Sequence, residues 1–360
     1  MADSLSLAVM VRDDAVRLRR CLQSMRDFTD EIVVLDTGSK DDTMDVAREF
    51  GAQLHEIEWP NDFAKALNVL LGFVKTDWLF RMDSDEWIDQ DQAKILRTHT
   101  RESRVSAYTV IRKDMTSSGI IDETDILRLW RAHENIRYKG VVHETISRSD
   151  IESAWPGKVM LRSDIKFWHD GYLGEALAEK SARNLELLRI DAEQRPDNLE
   201  VRAMLATALF GMHEPDGPTQ MEQLMETFLA SGTNELAGPQ VAQAIVIYLE
   251  TLPLERVKEE RTQRIVEKAV ERFPKNPVVL FYAGIIERKR EDFDAALRYL
   301  LTMEDLVRRN DFDRSMSIPA PFLGERMWKA LGFVATKLGR EDIVQRCRIG
   351  LSASPPNSGR

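Results

Sequence analysis

Four short apolar runs, separated by segments with helical spacing of apolar residues, occupy the first quarter of this chain. LSLAVMV (5–11), EIVVL (31–35), QLHEI (53–57) and WLFRM (78–82) read as strands. Residues 12–28, 41–50 and 63–74 read as helices, with Gly51 placed to close the second. Strand–helix–strand alternation requires right-handed crossovers and a mostly parallel sheet. Ligands on such sheets bind beyond the carboxyl ends of the strands. Polar clusters fall at those ends: Arg12-Asp13-Asp14, Asp36-Thr37-Gly38-Ser39 and Asp83-Ser84-Asp85-Glu86.

The rhythm then changes twice. Residues 103–168 break into short extended pieces, at 107–112, 127–131 and 165–168, which complete the sheet and wall an acceptor side. From about Gly174 the pattern is helical throughout, with Pro or Gly in the connections. Trp328, Leu331, Gly332 and Pro356 fit a tetratricopeptide-like frame. Leu280, Ala283, Gly284, Ala296 and Leu300 fit a second copy, and Leu205, Ala206 and Leu209 suggest a third. A plain helical bundle is the alternative. The 360 residues exceed one ordinary core. The expected architecture is an α/β domain over 1–172, followed by an all-α helical-repeat domain over 173–360.

Composition narrows the function classes. With 50 basic and 60 acidic residues the formal charge is −10, which opposes binding of bulk nucleic acid. Two cysteines, Cys21 and Cys347, lie far apart in helical patterns and read as buried thiols rather than a disulfide. No signal peptide is apparent, and no run of about 18 apolar residues suggests a membrane span. A cytoplasmic protein is expected, with peripheral association at the inner membrane face left open.

Asp83-Ser84-Asp85 carries most chemical weight. Two carboxylates one residue apart at a strand's exposed end suit a hard divalent cation, Mg²⁺ or Mn²⁺, which takes oxygen ligands and offsets charge on a leaving diphosphate. An isolated acidic triplet is usually a solvated loop; the strand before it argues otherwise here. Asp36 can accept from a base N–H or a ribose hydroxyl, and Gly38 permits a tight turn. Ser39 or Asp41 can instead cap the following helix.

Taken in order, the segments DEIVVLDTGSKDDT, REFGAQLHEIEWPNDFAKALN, DWLFRMDSDEWI, RLWRAHENIRYKGVVHE and FWHDGYLGEALAEKSARNLELL resemble the family 2 glycosyltransferases of GT-A fold. The resemblance is to the subgroup whose catalytic domain is fused to tetratricopeptide-type repeats. It implies transfer of a sugar, with inversion, from a nucleotide sugar to a peptide, protein or glycan. A uridine diphosphate sugar is the favoured donor, with Mn²⁺ or Mg²⁺. It further implies that Asp36 contacts the nucleoside, that Val9 to Arg12 line the nucleotide, that Asp85 is the main metal ligand, and that Asp83 lies near ribose and sugar, with a share in the metal. The chain departs from the family pattern at Arg12-Asp13-Asp14, where Lys-Asn-Glu is usual, and at Leu67, where Arg is usual. Lys65 and Arg81 are the nearby cations that would serve the phosphates instead.

An inverting displacement needs a base on the face opposite the leaving group. Glu144, in a segment resembling the subgroup's Y-x-G-x-x-H-E, is the first candidate and Asp125 another. His143 and His169 are candidates for the metal shell or the diphosphate. If the acceptor is a thiol, the demand for a base falls. Trp87, beside the acidic cluster, is the tryptophan placed best to touch sugar. The helical half is expected to present a peptide-binding surface or to form a homodimer. A catalytically inactive scaffold is the alternative function. A nucleotidyltransferase ranks low because residues 5–20 contain no glycine for a phosphate loop.

Overall fold

The computed structural model describes residues 3–116, 119, 121–171, 173, 177–232 and 238–353, without side chains at 177–179 and 353. Gly174 and Pro356 lie outside the described residues. The chain divides into two compact units, and the first takes in residues 1–117 and 121–191.

The first unit is built on β1 (Leu5–Val11), β2 (Glu31–Asp36), β3 (Gln53–Glu56), β4 (Trp78–Asp83), β5 (Glu86–Ile88), β6 (Val105–Met115), β7 (Ile121–Arg131) and β8 (Val159–His169). These lie in the order β3-β2-β1-β4-β7-β6-β8-β5. The β3-β2-β1-β4 half is parallel. The other half is mixed: β7 runs antiparallel to β4 and β6, β8 is parallel to β6, and β5 is antiparallel to β8. Every residue of β1 is buried, as expected of a central parallel strand covered on both faces.

Helices α1 (Ala15–Met25), α2 (Thr43–Glu49) and α4 (Gln90–His99) place Leu18, Leu22, Val46, Ala93 and Leu96 in one core with Leu7, Val9, Phe80 and Phe167. Helix α3 (Phe63–Phe73) covers the opposite face with Ala64, Leu67 and Leu70 against Ala8, Val33 and Leu79. It is capped by Asp62, whose Oδ1 accepts from the Lys65 amide at 2.9 Å. Gly51 ends α2 at φ 69°. A short α5 (Arg148–Ala154) completes this set. β5, α4 and α5 have no counterpart in the sequence expectation. β5 has three residues, too few to show a period, and α4 buries only Ala93 and Leu96.

The division between units falls inside α6 (Leu177–Gln194), after Asp191, rather than at 172. The first part of α6 belongs to the α/β unit because buried Asp191 accepts the Val141 amide at 3.1 Å.

The second unit is helical, with α7 (Leu199–Gly211), α8 (Gly217–Ala230), α9 (Pro239–Thr251), α10 (Leu254–Val257), α11 (Glu260–Arg272), α12 (Pro277–Lys289), α13 (Phe293–Arg309), α14 (Glu325–Lys337) and α15 (Glu341–Ala353). The repeat residues meet as the frame requires. A Cβ on Gly284 of α12 would lie 2.8 Å from Leu300 of α13, and one on Gly332 of α14 would lie 3.4 Å from Cβ of Cys347 in α15. The glycine at 284 lets α12 and α13 close, whereas at 332 a Cβ would make ordinary contact with α15. Cys21 and Cys347 are free and buried.

Candidate active site

Sheet register assembles the centre of the site. β5 begins directly after Asp85, and its antiparallel pairing sets Glu86 opposite His169. β6 runs parallel to β8 with Asp114 opposite the same histidine. Asp85 is thereby carried to the end of β8, where its carbonyl accepts the Asp170 amide at 3.2 Å. His169 Nδ1 lies 2.6 Å from Asp114 Oδ1, and its Nε2 lies 3.7 Å from Asp85 Oδ2. A Cβ on Gly171 would stand 2.4 Å from both Asp85 Oδ2 and His169 Nε2. These two atoms thus share a small space that only a glycine leaves clear.

That space fits a divalent cation. Oxygen and imidazole ligands sit about 2.1 Å from a first-row ion, so two of them stand roughly 3–4 Å apart. The Asp114 bond to Nδ1 fixes the ring so that Nε2 faces Asp85, the usual support for a metal-binding imidazole. Among the described residues no group of three His, Cys, Asp or Glu side chains is gathered to hold a metal. A cation would therefore have Asp85 and His169 from the protein and leave positions for other oxygens. Burial opposes ionisation of Asp85. The neighbouring His169, with the charges of Lys180 and Arg17, outweighs it and holds the carboxyl below the usual range. Burial likewise disfavours charge on His169, but its hydrogen bond to Asp114 and the adjacent Asp85 carboxylate push its pKa up to about 10.

Asp83 faces a different set. Arg81 reaches its Oδ1 at 2.6 Å and Arg128 its Oδ2 at 2.9 Å. Arg128 also meets Glu86 Oε1 at 2.8 Å, while Glu86 Oε2 accepts the Asp83 amide at 2.8 Å. Arg128 falls where the β6–β7 register slips, and that irregularity frees it from the ladder. Burial, then the charge of Asp83, pushes Glu86 up to about 8. Glu144 joins through Arg81, 3.5 Å from its Oε1. Burial is the main cause raising Glu144 to about 7; the Arg81 charge only partly opposes it. The segment carrying Glu144 is pinned upstream. The Asn68 side chain accepts the Tyr138 amide at 2.8 Å and donates to its carbonyl at 3.0 Å.

The remaining sequence candidates are placed as follows. Asp36, 1 % exposed, accepts the Gly38 and Ser39 amides on Oδ1, each at 2.8 Å. Its Oδ2 is buried with no partner among the described residues. The carboxylate thus shapes the turn, with Gly38 at φ 103°, and keeps one oxygen for a ligand donor. Asp41 is not the N-cap of α2, which is Asp42, but from one residue earlier it accepts the Thr43 amide at 3.0 Å. Val9 is wholly buried in β1, so any contact with a nucleotide is left to the strand's end. Arg12 is half-exposed there beside Asp13. Lys65 points to solvent, 3.3 Å from Asp62. Leu67, in the place of the family's arginine, is a core residue of α3.

Asp125 pairs with Arg162 at 2.6 Å rather than with the Asp83 cluster. His143 is exposed, at φ 53°, and is not brought to the Asp85–His169 pair. Trp87 has Arg20 over its ring at 3.7 Å and stacks with Trp168 at 6.2 Å. Those contacts occupy the surface expected to receive sugar.

Sequence reasoning did not single out Asp114, Gly171, Arg128, Glu86 or Lys180. A charged residue inside a long extended run, as at Asp114 and Arg128, was the available signal.

The description Glycosyl transferase family 2 matches residues 6–156. A TPR repeat-containing protein of Synechococcus elongatus is 30% identical over 284 residues, covering 74% of this chain and 64% of its own. The SPbeta prophage-derived glycosyltransferase SunS of Bacillus subtilis is 26% identical over 205 residues, 53% of this chain and 46% of its own. The match thus spans about half to two thirds of these relatives. Among solved structures, Staphylococcus aureus TarS with UDP-GlcNAc has a TM-score of 0.40 at 14% identity, over 80% of this chain and 92% of that one. Glucosyl-3-phosphoglycerate synthase from Mycobacterium tuberculosis, with Mn²⁺, UDP and phosphoglyceric acid, has a TM-score of 0.38 at 13% identity, over 52% and 77%. No described helix is long and apolar enough to cross a membrane.

Proposed function

Starting from the match of residues 6–156 to Glycosyl transferase family 2 and the helical unit that follows, we propose that the chain moves a sugar, with inversion, from a nucleotide diphosphate sugar to a peptide, protein or glycan. One observation carries the reading: Asp85 Oδ2 and His169 Nε2 converge on a space kept clear by Gly171, at the end of the sheet where such folds bind ligands. A divalent cation held by Asp85 and His169 would neutralise charge on the departing nucleoside diphosphate. Asp83 is a weaker metal candidate, because Arg81 and Arg128 already take both its oxygens.

Each protein group then has a task. The Oδ2 of Asp36, without a partner among the described residues, accepts an N–H or hydroxyl of the nucleoside. Arg81 and Arg128 fix Asp83 so that it accepts from ribose or sugar hydroxyls. Glu144, raised to about 7, takes the acceptor's proton as the acceptor atom bonds to the anomeric carbon and the bond to the diphosphate oxygen breaks. Asp125 is the lesser candidate for that role, since Arg162 holds it. A uridine diphosphate donor is the choice drawn from the sequence resemblance.

The test is a panel of nucleotide sugars with Mn²⁺ and candidate acceptors, read by release of nucleoside diphosphate. Turnover by the wild type and its loss in a folded Asp85→Ala variant are expected. Full activity in Asp85→Ala overturns the assignment. Leu67, buried where the family has arginine, favours a second reading, an inactive scaffold acting through its helices. No release with any donor would support it.

A further inference from the structure

The first part of α6 brings cations to the same strand ends, and the mechanism above gives them no task. Lys180 Nζ lies 3.6 Å from Asp85 Oδ2 and donates to the Gly171 carbonyl at 3.4 Å. Arg183 follows three residues later, one turn along the same face. Its guanidinium lies 5.4 Å from the ring of Phe63, the first residue of α3. It donates to the Asn184 side chain at 3.3 Å and pairs with no carboxylate among the described residues. The charge that acts on it is another cation, Arg12, at the end of β1. Partial burial and then that repulsion lower the Arg183 pKa. Arg12 itself has only a loose contact with Asp13, at 3.7 Å.

Like charges held together in a chain of net charge −10 cost free energy unless an anion joins them. Lys180 stands beside the Asp85–His169 space, Arg183 is one turn further along the same helix face, and Arg12 follows Val11, which pairs with Asp36 at the β2 end. We propose that Lys180 and Arg183, with Arg12, form the anion site that takes the diphosphate of the donor. This rests on the reading of a nucleotide-sugar enzyme given above. It also supplies the positive charge that the family's arginine would provide at Leu67. Lys180 reaches the diphosphate as a point charge, whereas Arg183 offers a planar fork of donors.

The experiment is calorimetric titration of the full chain with uridine diphosphate, uridine and inorganic pyrophosphate, with Mn²⁺ and again with a chelator. In Lys180→Ala/Arg183→Ala, affinity for the diphosphate and for pyrophosphate is expected to fall at least about tenfold, with uridine affinity unchanged and a shallower salt dependence. Lys180→Arg/Arg183→Lys should recover part of the loss, and circular dichroism checks the fold. Unchanged affinity for uridine diphosphate in the double alanine variant overturns the anion site while leaving the enzyme reading intact. Equal losses for uridine and its diphosphate overturn it as well. Pyrophosphate binding that needs Lys180 and Arg183, in a chain that binds no nucleotide, would instead sink the enzyme reading and leave the anion site standing.

Discussion

Asp85 Oδ2 and His169 Nε2 stand 3.7 Å apart, and Asp114 holds the far side of the imidazole at 2.6 Å. This relationship separates two aspartates that the sequence presents as one motif. Asp85 looks toward a histidine and an open space, whereas Asp83 is clasped by Arg81 and Arg128. One residue between them turns their side chains into different neighbourhoods. The proposed cation at Asp85 and the proposed base at Glu144 would thereby have different partners.

Gly171 decides whether that space exists. Its missing Cβ would stand 2.4 Å from both facing atoms, too close for either to stay. Gly171→Ala is expected to weaken Mn²⁺ binding at least about tenfold, the scale of disturbed support around a metal, with helix and strand content unchanged. Paramagnetic resonance of Mn²⁺ measures it directly. Wild-type affinity in the alanine variant would show that the cation sits elsewhere.

If Glu144 is the base proposed above, it sets the pH response of the reaction. Its carboxyl is raised to about 7, and a base must be ionised to accept a proton. The rate with a hydroxyl acceptor should therefore rise with pH and level off above about 7. Glu144→Gln should lower kcat by about 10²–10⁴-fold, the usual worth of a positioned base, and remove that limb. A thiol acceptor should feel the substitution far less. If Asp125→Asn removes the limb and Glu144→Gln does not, the base has been misassigned.

The strand ends were readable in the sequence because parallel strands buried on both faces are uninterrupted apolar runs. LSLAVMV, EIVVL and WLFRM each stop just before a polar residue at the strand's carboxyl end, so Asp36 and Asp83 could be placed from local pattern alone. Their partners could not. Asp114 meets His169 only because β6 lies parallel to β8, and Arg128 meets Asp83 only because β7 lies beside β4 and a register slip releases it. Such neighbours are set by sheet order, which no local period encodes. Trp87 shows the converse. Its place beside the acids was legible, but the Arg20 that covers its ring comes from α1.

The helical unit offers a test of packing. A Cβ on Gly350 of α15 would lie 2.3 Å from Cε2 of the partly buried Trp328 indole in α14, a rigid ring rather than a flexible chain end. Replacing glycine within a helix by alanine normally gains about 0.5–1 kcal/mol, whereas overpacking costs about 1–3 kcal/mol. At Gly350 the clash should win and the Tm should fall. Gly332→Ala, facing Cβ of Cys347 at 3.4 Å, should be near neutral. Thermal melts of the two variants compare them, and a Tm for Gly350→Ala at or above wild type would contradict this packing.

Glu200 ties pH to the stability of the same unit. From α7 its carboxylate reaches the start of α9, where it accepts the amides of Gly238 at 2.7 Å, Gln240 at 3.1 Å and Val241 at 3.3 Å. Burial raises its pKa above the ordinary 4.5, and the three amides only partly offset this. Between that ordinary value and the higher folded one, the folded chain keeps a proton that the unfolded chain has lost. The group's stabilising contribution is therefore complete below about pH 4.5 and declines as pH rises through the folded pKa. Glu200→Gln cannot titrate, and it turns an NH₂ toward one of the amides that the second oxygen served. The variant should be less stable than wild type by about 1 kcal/mol or more at mildly acid pH, with the gap narrowing toward neutral pH. Urea midpoints at a series of pH values read the difference. A gap that widens as pH rises would mean that the ionised carboxylate, rather than the protonated one, is the form the fold prefers.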